Sequence, residues 1–375
     1  MSQREQLHIG VVGAGGRGGS LAAALGLLPD LRVRAVCDAN ADALPEAAQR
    51  YGAAEASDDY AEMLSRSDLD AVVIATPMPL HAPQAIAALR LDLHVLSEVP
   101  AAVSLDECRA LVHACAHSRG LYMLAENCNY TRANLMISEL VRKGLFGVPY
   151  YAEGEYLHEL RQLNEITRWR RRWQTGVNGI TYPTHSLGPI LQWLPGDRVV
   201  SLCCAGSGRH YRDTRGKLYE NETSCVMLCK LRSGGLVKIR VDMLSDRPHL
   251  VNRYQLQGTD GAYESASAPG EPDRIWLRAL CPDKSRWFNL QELEAEYLPA
   301  LWREQGELAQ RSGHGGGDLL ALSAFVEAIR LGRPSAIDIH AALDMTLPGL
   351  VSQQSIAAGG RWLPVPDSRT WEETI

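Results

Sequence analysis

The stretch Leu7–Ser20, LHIGVVGAGGRGGS, constrains the fold of this chain more than any other. A short apolar run enters a turn with Gly13, Gly15 and Gly18 at the spacing G-x-G-x-x-G. The run SLAAALGLL, which has helical character, follows. Strand, glycines and helix in this order form a dinucleotide-binding turn. Gly13 allows the tight turn, Gly15 lets the backbone approach a pyrophosphate, and Gly18 lets helix and strand pack closely. Gly16 and Arg17 complete the loop, whose helix N-terminus favours an anion. Asp38 ends the next apolar run, VRAVCD, about twenty residues further on. It is placed to accept from a ribose hydroxyl, and its charge would repel a 2′-phosphate. The cofactor expected is therefore NAD.

Strand and helix patterns keep alternating to residue 126, which implies a parallel sheet covered on both faces. AVVIATP, LHVLSE and LYMLAEN read as further strands. The helix opening at SLDEC carries a capping box, Ser104 with Glu107. Ligands of such sheets sit at the carboxyl ends of strands. Thr76, Pro77, Glu98 and Asn127 lie at such ends, and His81 either contacts the cofactor or simply begins a helix. After residue 126 the pattern changes. A helix, TRANLMISELVRKG, precedes a series of strand-like runs joined without helices, and RSGG reads as a hairpin turn. Two helices near 317–331 and 339–357 finish the chain. The expected class is α/β, with an N-terminal Rossmann NAD-binding domain, 1–126. The C-terminal α/β domain, 127–375, carries a large, mostly antiparallel open sheet.

Composition narrows the partners. The net charge is −6 with dispersed basic residues, so nucleic acid is not expected. The one basic run, RWRRRW at 168–173, reads as a solvated or salt-bridged face. No apolar run approaches the ~20 residues of a membrane span. The first strand begins too soon for a signal peptide, and a cytoplasmic location is expected. The nine cysteines show no metal-ligand spacing and read as reduced core thiols, so no metal is expected.

NGITYPTHSLGP, 178–189, places Tyr182 and His185 three residues apart in a stretch with two prolines. Phenol and imidazole are groups that can be tuned to carry protons near neutral pH. Tyr156 and His158 lie two apart, hence on one face of a strand. Arg161 either pairs with Glu159 or binds substrate. In GHGGGD, His314 reads as a substrate-side residue and Asp318 as a helix N-cap.

Taken together these residues resemble the Gfo/Idh/MocA oxidoreductases. The resemblance rests on Gly13–Gly18, on Ala75-Thr76-Pro77 with His81, and on Glu98-x-Pro100. That family usually has Glu-Lys-Pro, whose lysine helps hold and activate a substrate hydroxyl; here the middle residue is Val99. EVPAAVSLDEC, LAENCNY, GEYLHELR, YPTHSLGP and GHGGGD resemble one branch, the NAD-dependent glycosidases of glycoside hydrolase family 109. The resemblance implies a site around a sugar lined by Tyr156, His158, Tyr182 and His185, in the cleft between the domains. It implies redox-neutral turnover: transient oxidation at C3, proton removal at C2, elimination at C1, water addition and re-reduction. It also implies a homodimer or homotetramer. The alternatives are an NAD-dependent sugar or polyol dehydrogenase and a non-catalytic protein that binds NAD and sugar.

Overall fold

A computed structural model describes residues 6–66, 68–248, 250–280 and 283–371. The chain divides into two compact units. The first takes the described residues of Met1–Tyr130, Glu304–Leu343 and Ser368–Ile375. The second takes those of Thr131–Arg303 and Asp344–Asp367. The sequence places one division after residue 126, whereas the units interleave: the first regains two later stretches.

The first unit is built on six parallel strands: β1 (Leu7–Val12), β2 (Leu31–Cys37), β3 (Glu55–Ser57), β4 (Ala71–Ile74), β5 (His94–Ser97) and β6 (Tyr122–Leu124). Their order is β3-β2-β1-β4-β5-β6. β4 is buried along its whole length, as a strand covered on both faces must be. Helices Gly16–Leu25, His81–Leu89 and Leu105–Ala116 are among the connections between strands. At the last of these, Ser104 Oγ accepts from Glu107 N at 3.2 Å, while the Glu107 carboxylate accepts from Val103 N at 2.8 Å. The box thus closes one residue earlier than expected. The strand order reverses between β1 and β4, and the glycine loop leaves β1 there, where such sheets bind ligands. The returning helix Gly317–Leu331 packs on Gly16–Leu25 and on residues 127–130. The chain beyond it lies along β6, where Leu124 N donates to Ile337 O at 3.0 Å.

The second unit holds nine strands: β7 (Pro149–Leu157), β8 (Val199–Gly206), β9 (Ser224–Leu231), β10 (Leu236–Asp242), β11 (Asn252–Gly258), β12 (Gly261–Glu264), β13 (Arg274–Leu277), β14 (Phe288–Asn289) and β15 (Leu363–Pro364). Their order is β14-β13-β12-β11-β7-β10-β9-β8-β15. Every pairing is antiparallel except β7 with β10. The RSGG turn joins β9 to β10, with Leu231 N donating to Gly235 O at 3.0 Å. Alternation of burial along most of β9, β10 and β11 marks a sheet with one covered face. Helix Thr184–Trp193 packs on β7, β10 and β11, and helix Arg132–Arg142 packs on that helix. Trp193 is fully buried there; its Nε1 donates to Asn134 O at 3.0 Å, and its ring meets Tyr254 and Tyr263 edge-on. The opposite face carries charged ladders, such as Lys238 with Glu153 and Arg253 with Glu155.

The basic run 168–173 is a short helix. Arg171 there is paired with Asp213 and Glu220, the salt-bridged form of the sequence reading. The eight described cysteines are free thiols, and burial pushes Cys204 and Cys225 up to about 12. No described helix is long and apolar enough to cross a membrane.

Candidate active site

The glycine loop meets the physical demands of a nucleotide cradle. Gly13 adopts φ +81°, and a Cβ there would lie 2.7 Å from the Ala75 carbonyl oxygen. A Cβ on Gly18 would lie 1.9 Å from the Gly13 carbonyl oxygen, so the helix cannot approach β1 with any larger residue. At Gly15 the nearest neighbour of such a Cβ is Asp38 Oδ2 at 3.8 Å, which leaves open space above the loop. Helix Gly16–Leu25 has no side-chain cap, so its first N–H groups remain for a ligand. Asp38 Oδ2 accepts from Gly15 N at 3.2 Å and Oδ1 from Asn40 N at 2.9 Å. A cavity of about 640 Å³ lined by Gly15, Gly16, Asp38 and Tyr51 adjoins them. These residues fit a dinucleotide.

Several residues expected beside the cofactor hold one another instead. Arg17 Nε donates to Glu98 Oε1 at 2.7 Å, and its two terminal nitrogens donate to Asp318 at 2.6 and 2.8 Å. Asn127 Nδ2 donates to Asp318 Oδ1 at 2.8 Å, and His314 Nδ1 lies 2.9 Å from Oδ2. Arg17 and Asn127 are therefore members of a protein network before they are cofactor contacts. Asp318 is the hub of that network; it is fully buried and makes no cap bond to its own helix. Burial raises its pKa, but the bonds from His314 and Arg17 outweigh this and hold it well below the usual carboxylate range. His314 thus faces Asp318 through Nδ1, while about half of its side chain stays exposed. The sequence misses the hub because Asp318 pairs with Arg17 across 301 residues. The only local signal is the four-residue offset between His314 and Asp318.

His81 also departs from a direct cofactor role. It is buried, with ring nitrogens 2.9 Å from Pro100 O and 2.8 Å from Thr76 O. Burial lowers its pKa. It ties the loop after β4 to the loop after β5, and so positions Thr76, Pro77 and Glu98. Thr76 Oγ1 donates to Gln84 at 2.6 Å.

In the second unit the four expected proton carriers come together. The ring centroids of Tyr182 and His185 are 5.0 Å apart, and Tyr156 lies 5.6 Å from Tyr182 and 5.3 Å from His185. Tyr156 Oη is 2.7 Å from His158 Nδ1. Tyr156 is buried at the end of β7, between Val241 and Asn252 of the neighbouring strands. His158, Tyr182 and His185 are half-buried, as groups meeting a ligand must be. The sequence places Tyr182 and His185 at a helix start, and the helix Thr184–Trp193 begins between them. Asn178 and Glu222 bond each other twice, and Ile180 N donates to Ser352 Oγ at 2.9 Å. The preceding segment is thus anchored on two sides. Gly154 lets β7 approach this helix, since a Cβ there would lie 2.0 Å from Ser186 O. Arg161 takes the first of its two readings: it pairs with Glu159 at 2.7 Å and Asp246 at 2.9 Å, and lies over Tyr211.

Comparison with known proteins bears on both units. Residues 7–126 match the family model described as oxidoreductase family, NAD-binding Rossmann fold. Residues 130–372 match glycosyl hydrolase 109, C-terminal domain. The chain belongs to glycosyl hydrolase family 109. A family 109 protein of Saccharopolyspora erythraea is 32% identical over 97% of this chain and 83% of its own length. One of Shewanella pealeana is 31% identical over 97% and 85%. Among solved structures, a levoglucosan dehydrogenase in complex with NADH and levoglucosan superposes with a TM-score of 0.82 at 20% identity, over 96% of this chain and 100% of its own. The WlbA dehydrogenase of Bordetella pertussis, in complex with NADH and UDP-GlcNAcA, gives 0.79 at 21%, over 98% and 99%. These likenesses establish the fold. NAD is the cofactor of this family 109 chain, and the resemblance read from the glycine loop and YPTHSLGP extends over both parts.

Proposed function

We propose that this chain is a redox-neutral glycosidase whose proton transfers are carried by Tyr156, His158, Tyr182 and His185. The observation that carries the reading is the contact of these four rings, two phenols and two imidazoles, on one unit. Bound NAD supplies a transient oxidation at C3 of the sugar, reversed before the product leaves. With C3 a ketone, the C2–H becomes acidic enough for a base of ordinary strength. Tyr182 takes the C3 hydroxyl proton. His185 removes the C2 proton while the Tyr156–His158 pair protonates the departing C1 substituent. His185 then handles the water, whose hydroxyl adds at C1 as His185 returns its proton to C2 and the pair takes up the remaining water proton. The Tyr156–His158 hydrogen bond makes these two the second proton carrier and substrate clamp. A single general acid–base group of this kind is worth ~10²–10⁴-fold. Val99 supports the reading: it is buried and apolar, so the position offers no amine to hold a hydroxyl.

The reading requires one sugar to react with both the quartet and the cofactor. The test incubates pure protein with α- and β-nitrophenyl glycosides and follows nitrophenol and NADH absorbance together. Many turnovers of nitrophenol without net NADH, reduced at least ~10²-fold in His185→Ala, are expected. NADH accumulating from free sugars and NAD+, with no nitrophenol, would make the chain a dehydrogenase and overturn the proposal.

A further inference from the structure

Arg17 stands inside the glycine loop, in the first turn of the helix that opens the nucleotide cradle. A basic residue there would ordinarily be available to a pyrophosphate. Here its guanidinium is committed to Glu98 and, through two parallel bonds, to Asp318. Both oxygens of Asp318 are used twice: Oδ1 accepts from Arg17 and Asn127, Oδ2 from Arg17 and His314. Bidentate charge-assisted bonds are the strong class.

The segment that Asp318 anchors is conformationally costly. His314, Gly315 and Gly316 adopt φ of 54°, 62° and 92°, three left-handed residues in succession. For a residue with a Cβ, such as His314, this conformation is unfavourable. At its end a Cβ on Gly317 would lie 2.3 Å from Asn127 O, so the backbones of the two segments abut. A glycine-rich loop is thus held beside the cofactor loop by the Arg17–Asp318 pair and by Arg17 Nη1, 3.2 Å from His314 Nδ1.

We propose that Asp318 is a positioning residue for the nucleotide: by gripping Arg17 it bolts residues 313–317 to the dinucleotide loop, and bound NAD leaves only when this pair opens. The inference rests on NAD binding and not on the glycosidase reading, so the two fail separately. The full-length protein is loaded with radiolabelled NAD+ and chased with excess unlabelled NAD+, for wild type, Asp318→Asn and Arg17→Lys. Asp318→Asn should release label roughly tenfold faster or more, the scale of one charge-assisted bond. Arg17→Lys should fall between, because an ammonium cannot reproduce the fork. Unfolding temperatures without nucleotide separate this from a loss of fold. Unchanged release rates with a lowered unfolding temperature would reduce the pair to a structural tie. Wild type that releases as fast as the variants would equally overturn the proposal. If Asp318→Asn does not fold, Arg17→Lys decides by the same two readouts.

Discussion

Asp318 shows how much one residue can hold when its partners arrive from distant parts of the chain. Removing a carboxylate from water is unfavourable, yet four N–H donors keep this one ionised. Its folded pKa lies below the unfolded value of about 3.9, so it contributes stability at every pH above that value. The contribution fades as pH falls below about 4 towards the folded pKa. The difference in unfolding free energy between wild type and Asp318→Asn should therefore be constant from pH 8 to pH 5 and shrink below pH 4. Urea unfolding of both proteins across that range measures it. A difference independent of pH would mean that Asp318 is not held as a carboxylate by this network. Within a few residues of Asp318 only its four-residue offset from His314 hints at the role. An acid in the first turn of a helix reads locally as a cap, and only the fold reveals Arg17 beside it. Tyr156, His158, Tyr182 and His185 come in two short pairs that the sequence singles out through the resemblance of GEYLHELR and YPTHSLGP, and the fold brings their rings together.

At the scale of elements, Gly154 fixes the distance between the two pairs. It sits in β7 where the strand crosses beneath helix Thr184–Trp193, two residues before Tyr156. A methyl group there meets the Ser186 carbonyl oxygen, which is backbone and cannot swing aside. Gly154→Ala should cost about 1–3 kcal/mol in denaturant unfolding. It should also lower turnover by moving Tyr156 away from His185. Unchanged stability and turnover would show that strand and helix can separate freely. The strands of this sheet were readable because alternation is a local pattern: VVSLCCAG and NRYQLQG match β8 and β11 residue for residue. The helix formed by RWRRRW was not, since arginines and tryptophans give no apolar period. Its arginines are instead stabilised by partners elsewhere, such as Asp213 and Glu220.

At the scale of the molecule, the first unit is discontinuous, and this follows from what its own opening segment leaves uncovered. The strand–helix alternation ends near residue 126, where the sequence divides the domains, and the first compact unit takes up later stretches as well. Helix Gly317–Leu331 returns to pack on Gly16–Leu25 and on residues 127–130, with Leu319, Leu320, Leu322 and Phe325 buried. At about 1.5–3 kcal/mol for each fully buried side chain, four such residues represent roughly 6–12 kcal/mol. That is comparable with the whole stability of an ordinary domain, about 5–15 kcal/mol. The same helix brings Asp318, which takes two of the bonds of the Arg17 guanidinium. A fragment ending at Tyr130 should therefore lack both a cooperative thermal transition and any rise in unfolding temperature on adding NAD, whereas the full chain should show both. Circular dichroism melts of the two, with and without nucleotide, decide the point. A cooperative fragment stabilised by NAD would mean that the returning helix adds only regulation to a domain already complete.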